Sequence, residues 1–113
     1  MNLNTSFKMI YCFDLDNTLC NTEGNYYEKA TPKEDRIALV NKLYDEGHTI
    51  LIDTARGCVS GKNWFYFTLE QLKGWDVKFH TLRTGVKFGA DIFVDDKGFN
   101  DKDFFNGNSK KVS

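Results

Sequence analysis

A chain of 113 residues has room for one domain with a small core, not for a core plus a sizeable second domain. Its net charge of -1, without a basic stripe, argues against general nucleic-acid binding. No apolar run approaches the roughly 20 residues of a membrane helix, and the opening MNLNTSFK lacks the apolar stretch of a secretory signal.

The three cysteines, Cys12, Cys20 and Cys58, form no CxxC. They read as reduced thiols of a cytoplasmic protein, not as a disulfide framework or a zinc site. Ten Phe and two Trp are many for this length. They predict either a Phe-rich core or an exposed apolar face used for homo-oligomeric association.

In chain order, 8-KMIYCF-13 suits a buried strand. A polar loop, 20-CNTEGNYYEKA-30, follows. The stretch 31-TPKEDRIALVNKLYDEG-47 predicts a helix with Thr31 as N-cap, Pro32 at the first helical position and Glu34 completing a capping box. Ile37, Val40, Leu43 and Tyr44 form its apolar face, and Gly47 stops it. A second strand, 48-HTILID-53, leads into Thr54-Ala55-Arg56-Gly57. A helix over 63–73 places Phe65, Leu69 and Leu72 inward. A third strand covers 76-DVKFHTL-82, then a short loop carries Thr84, Gly85 and Lys87. A fourth strand is 90-ADIFVDD-96. Residues 1–105 are expected to form one domain, with 106–113 a loose tail.

Strands alternating with amphipathic helices predict an α/β sandwich around a parallel sheet of about four strands. In such folds ligands bind at the carboxyl ends of the strands. Asp14, Asp16, Thr54, Asp95 and Asp96 all lie just past predicted strand ends. A single aspartate there is usually a solvated loop residue or a helix cap. Several brought together repel one another unless a cation binds or protons are taken up. An all-oxygen site of this kind suits magnesium. Thr18, Thr54, Lys87 and Arg56 supply donors for a phosphate beside it.

These residues resemble the haloacid dehalogenase-like (HAD) hydrolase superfamily. Motif one is 14-DLDNT-18, motif two is Thr54 closing 50-ILIDT-54, motif three is Lys87, and motif four is 95-DD-96. A looser resemblance, carried by 53-DTARG-57, 63-NW-64, 70-EQLKGW-75 and 95-DDK-97, is to small cap-less phosphatases of capsule or lipopolysaccharide biosynthesis. Those relatives often carry Lys-Pro where this chain has Lys87-Phe88.

The resemblance implies a minimal Rossmann-like three-layer sandwich without a cap domain. It also implies a magnesium-dependent phosphatase working through an aspartyl-phosphate on a small phosphorylated substrate, such as a sugar phosphate. Asp14 would be the nucleophile and Asp16 the general acid-base, with Leu15 between them turned into the core. Asp14, the backbone carbonyl of Asp16, Asp95 and Asp96 would hold the metal. Thr54 and Lys87 would hold the transferring phosphoryl group.

Arg56 either binds a substrate phosphate or carboxylate or makes a structural salt bridge. Lys97 either braces the acidic pair or is solvated, and Thr18 is a further supporting donor. His80 reads as structural. Tyr26 and Tyr27 lie where relatives carry a flap, and Trp64 to Phe67 read as core or subunit contact. The gaps from Thr18 to Thr31 and from Thr54 to Lys87 are too short for a cap. An open site admits water, which disfavours a mutase.

Rival readings are a nucleotidase or nucleic-acid 3′-phosphatase, a catalytically silent binding relative, and a receiver domain accepting phosphate on Asp53. The receiver needs its acidic pair after the first strand, where this chain has DxDxT.

Overall fold

The computed structural model describes residues 8–58, 60–85, 92 and 97–107. The elements are β1 (Ile10–Phe13), β2 (Cys20–Asn21), β3 (Thr31–Pro32), α1 (Glu34–Asp45), β4 (Thr49–Thr54), α2 (Phe65–Gly74), β5 (Thr81–Thr84) and α3 (Asp101–Phe105). β1, β4 and β5 form a parallel sheet in that order. β2 and β3 form a separate antiparallel pair. The expected fourth strand, Lys87, Asp95 and Asp96 lie outside the described residues, as do tail residues 108–113.

β4 is the central strand, and its exposure alternates as a strand with one covered face must. Ile50 and Ile52 are fully buried, and register sets Phe13 and Leu82 beside Ile52. Ile37 and Val40 of α1 and Leu72 of α2 close over this face. Leu72→Ala would cost about 2–5 kcal/mol through lost burial and the cavity left behind.

The opposite face shows Ile10, 72% exposed, with Cys12, Thr81 and Arg83 also exposed. There Asp53 accepts two bonds from Arg83, Nε to Oδ1 at 2.9 Å and Nη2 to Oδ2 at 2.6 Å. Asp53 therefore points away from the helical layer. The α-helices α1, α2 and α3 pack on the other side, so the second helical layer of the expected sandwich contains no described α-helix.

Two boundaries differ from the sequence expectation. Thr31 is not a helix cap: Thr31 and Pro32 pair with Asn21 and Cys20, and Lys33 N–H donates to Leu19 C=O at 2.9 Å. Closing the 22–30 loop with this pair displaces the extra helical turn, and α1 starts at Glu34 without a side-chain cap.

The third strand also starts later, at Thr81 rather than Asp76. Asp76 takes a left-handed φ of 56° and ends α2, with its N–H on Lys73 C=O and Val77 N–H on Leu72 C=O. That is a Schellman cap with Asp in the position usually held by Gly, and buried Val77 meets buried Leu72 across it. Gly47, at φ 96°, ends α1 in the same way, through Gly47 N–H to Tyr44 C=O and His48 N–H to Leu43 C=O.

α3 carries the tail phenylalanines onto the sheet. Phe104 lies 5.7 Å and Phe105 6.0 Å from Phe13, centroid to centroid. Asn100 caps it by accepting Lys102 N–H at 2.9 Å. Asn106 and Gly107 form the turn that follows. Among the described residues no helix is long and apolar enough to cross a membrane.

His80 is structural here. Its Nδ1 accepts Ile50 N–H at 3.0 Å, and its ring stacks on Tyr44 at 4.6 Å.

Candidate active site

β1 ends at Phe13 and the chain continues extended through Asp14, Leu15 and Asp16. Leu15 is 0% exposed while Asp14 and Asp16 are half-buried. The alternation predicted from sequence is therefore present, with the two carboxylates flanking a core leucine. The chain then turns tightly. Asn17 adopts φ 63°, a left-handed conformation that Asn tolerates, and the N–H groups of Thr18 and Leu19 both donate to Leu15 C=O, at 3.0 and 2.8 Å. Asn17 Oδ1 accepts Thr22 N–H at 3.0 Å and holds the next segment down.

Asp16 is the centre of a dense network. Its Oδ1 accepts Thr22 Oγ1–H at 2.6 Å and Arg56 Nη2–H at 2.8 Å, and its Oδ2 accepts Arg56 Nε–H at 3.0 Å. Cys20 Sγ lies 3.7 Å from Oδ1. The Arg56 side chain is 0% exposed. Its Nη1 donates to Thr68 Oγ1 at 3.2 Å and Gln71 Oε1 at 2.8 Å, both on α2. The Tyr27 ring lies over the guanidinium, 4.6 Å from its carbon to the centroid. Gln71 Nε2 donates in turn to Tyr27 C=O at 2.8 Å, pinning the 22–30 loop to the same helix. Of the two readings the sequence leaves for Arg56, the salt bridge is the one present. A buried guanidinium committed to Asp16, Thr68 and Gln71 does not face a substrate phosphate. A buried charge needs this degree of compensation, since one left alone costs several kcal/mol.

Thr54 closes β4 and is 1% exposed. Its Oγ1 accepts Arg56 N–H at 3.3 Å, and its C=O accepts Gly85 N–H at 3.1 Å. In this geometry the hydroxyl also braces the turn that presents Arg56. Register sets Thr84 of β5 beside Thr54, so two threonines end adjacent strands on the side where Asp14 leaves β1. Thr18 is half-buried, and its C=O accepts Arg36 Nη1–H at 2.9 Å. Asp14, Thr18 and exposed Lys97 line one cleft of about 740 Å³, which continues along β1 to Phe99 and Phe104.

Burial, then the nearby Asp16 charge, pushes the Tyr27 phenol above its ordinary range. Trp64 meets the Tyr27 ring edge-on at 4.8 Å and carries Lys62 Nζ 4.6 Å from its own centroid. Trp64 therefore backs the loop that covers Arg56. Tyr26, beside it, is exposed.

Sequence reasoning missed Thr22, Thr68 and Gln71. The signal for Thr68 was a threonine within the apolar stripe of α2. Thr22 carries no local signal, and Gln71 lies in the 70-EQLKGW-75 stretch quoted above without a role of its own.

Two of the four residues expected to hold a metal, Asp95 and Asp96, lie outside the described residues. Among the described residues no three His, Cys, Asp or Glu side chains gather as a metal group. The donors present are hard oxygens, from the Asp14 carboxylate and the Asp16 backbone carbonyl. They suit magnesium. The Asp16 carboxylate is committed to Arg56 and Thr22 instead.

A crystal structure of a target protein from Vibrio cholerae is similar to this chain with a TM-score of 0.76 and 23% identity, over 88% of each chain. At that identity the likeness is one of fold. No family model and no curated protein matches the chain. The chain is a small α/β protein whose described residues build a parallel three-stranded sheet.

Proposed function

We propose that the chain is a cap-less HAD-type phosphohydrolase that cleaves phosphomonoesters with magnesium. The observation that carries this reading is the placement of Asp14 and Asp16 around buried Leu15 at the carboxyl end of β1, next to Thr54 at the end of β4. The same reading includes a fourth strand over 90–96, outside the described residues, which would bring Asp95 and Asp96 to that edge.

In this reading an Asp14 carboxylate oxygen attacks phosphorus. The bond from phosphorus to the ester oxygen breaks, its electron pair stays on that oxygen, and Asp16 supplies the proton that makes it an alcohol. Asp16 then takes a proton from water. The water oxygen attacks phosphorus, and the bond to Asp14 breaks to release phosphate and the free carboxylate. Asp14, the Asp16 carbonyl, Asp95 and Asp96 would hold magnesium, which would supply charge neutralisation between carboxylates and phosphate. Thr54 and Lys87 hold the phosphoryl oxygens.

The substrate class favoured is a small sugar phosphate of surface-polysaccharide synthesis, supported by the likeness of 53-DTARG-57 and 95-DDK-97 to such phosphatases. The test is phosphate release from sugar phosphates, nucleotides and an aryl phosphate, with magnesium or chelator, on wild type and Asp14→Asn. Magnesium-dependent turnover that Asp14→Asn abolishes is expected. Absence of turnover across the panel by folded protein would overturn the reading.

A further inference from the structure

We infer that Arg56 is a positioning residue for Asp16: it fixes the carboxylate so that Oδ2 is the oxygen presented to the leaving group. The inference rests on the phosphohydrolase reading above.

Three features carry it. The contact is bidentate, with Nε on Oδ2 at 3.0 Å and Nη2 on Oδ1 at 2.8 Å. A planar fork meeting a planar carboxylate sets the rotation of the group as well as its place, which a single point charge does not do. The two oxygens are also unequal. Oδ1 takes donors from Arg56 and Thr22 and has Cys20 Sγ nearby, whereas Arg56 Nε is the donor to Oδ2 among the described residues. Oδ2 is thus the oxygen with acceptor capacity left for a reacting group.

Arg56 is itself immobilised from behind. Thr68 and Gln71 take its Nη1, Tyr27 covers its face, and Thr54 Oγ1 takes its backbone N–H. A residue serving only to bury its charge would need partners, but not a chain of fixed contacts running from α2 through the guanidinium to one carboxylate plane. Asp16 lies past the end of β1 and just before the left-handed turn at Asn17, with no element of its own to hold its side chain. α2 supplies that rigidity through Arg56.

The test uses leaving-group dependence. Proton donation matters greatly for an alkyl phosphate, whose alkoxide is a poor leaving group, and little for p-nitrophenyl phosphate, whose phenolate departs unaided. Arg56→Lys keeps a buried positive charge but loses the fork. Gln71→Leu loosens Arg56 from behind without touching Asp16, and stands in should Arg56→Lys fail to fold. Since general acid–base catalysis contributes about 10²–10⁴-fold, Arg56→Lys should lower kcat/KM, which reports the steps up to leaving-group departure, by about 10- to 100-fold on an alkyl phosphate and by less than about 3-fold on p-nitrophenyl phosphate. Gln71→Leu should show the same selectivity, more weakly. Asp16→Asn sets its upper limit. Melting curves and Tyr27–Trp64 near-UV circular dichroism, recorded without magnesium, check that each variant is folded.

Equal losses in kcat/KM on both substrates, or no loss on either, would overturn the positioning role while leaving the phosphohydrolase reading intact. No turnover by wild type would overturn both.

Discussion

Thr22 Oγ1 donates to Asp16 Oδ1 over 2.6 Å, from a side chain that is itself buried. A hydroxyl bonded to a carboxylate belongs to the stronger class of hydrogen bond. Thr22→Val keeps the shape and removes the donor, so it should lower stability by about 1.5–3 kcal/mol in urea unfolding. Thr22→Ser should recover most of that loss. A Thr22→Val midpoint equal to wild type would show that the bond contributes nothing.

Arg36 links the turn after β1 to α3. Its Nη1 donates to Thr18 C=O at 2.9 Å and to Asp101 Oδ2 at 2.8 Å, while its guanidinium lies 4.7 Å from the Phe105 ring centroid. Burial pushes the Asp101 carboxyl up, but the hydrogen bond and charge of Arg36 outweigh it and hold the carboxyl below its ordinary 3.8. A folded-state value below the unfolded one means the contribution is fully present above that ordinary value and is lost as pH falls through the lowered one. α3 should therefore loosen in strong acid, seen as loss of amide-exchange protection over 104–106. At neutral pH the pair is worth about 1 kcal/mol or less, because it is partly exposed. Asp101→Asn should flatten that acid limb.

Gly57 and Gly61 share a loop and a left-handed φ, 88° and 74°, but differ in surroundings. A Cβ on Gly57 would come within 2.3 Å of the Lys62 carbonyl oxygen, whereas one on Gly61 would meet nothing within 4 Å. Gly61→Ala should cost only the conformational penalty, about 1–2 kcal/mol. Gly57→Ala should cost more, since Lys62 is backbone and the 57–62 loop must shift. Equal melting temperatures for the two variants would refute the close approach.

Burial raises the Cys20 thiol above its ordinary value, chiefly by desolvation. Cys12, on the open face of the sheet, is exposed. Iodoacetamide at pH 8 should therefore modify Cys12 well before Cys20, and unfolding in urea should erase the difference. Mass spectrometry of the two peptides reads the order directly. Early labelling of Cys20 in folded protein would contradict its burial.

Much of the fold was legible where pattern and burial coincide. β4 alternates in sequence and in exposure, and the stripe of Ile37 and Val40 names the buried face of α1. The misplaced boundaries arose where two local rules competed. Thr31-Pro32 reads as a helix start until Cys20-Asn21 is present to pair with it. Asp76 reads as the start of a strand until it is seen to end α2 with a positive φ.

The site divides in the same manner. Asp14, Leu15 and Asp16 are fixed by strand periodicity and were readable. Arg56 was ambiguous, because its choice between substrate and Asp16 depends on which face α2 turns toward β4. Thr22, Thr68 and Gln71 join only through that packing.

The strand order β1, β4, β5 is also the order of synthesis. Among the described residues each strand of this sheet docks on the previous strand of the same sheet, so the first βαβ unit can close while α2 is still being translated. Until α2 arrives, Arg56 has neither Thr68 nor Gln71, and its charge stands in water. A nascent chain would thus pair β1 with β4 early and complete its Asp16 clamp late. Truncated translation products ending before Thr68 should contain the β1–β4 pairing without the finished carboxylate geometry.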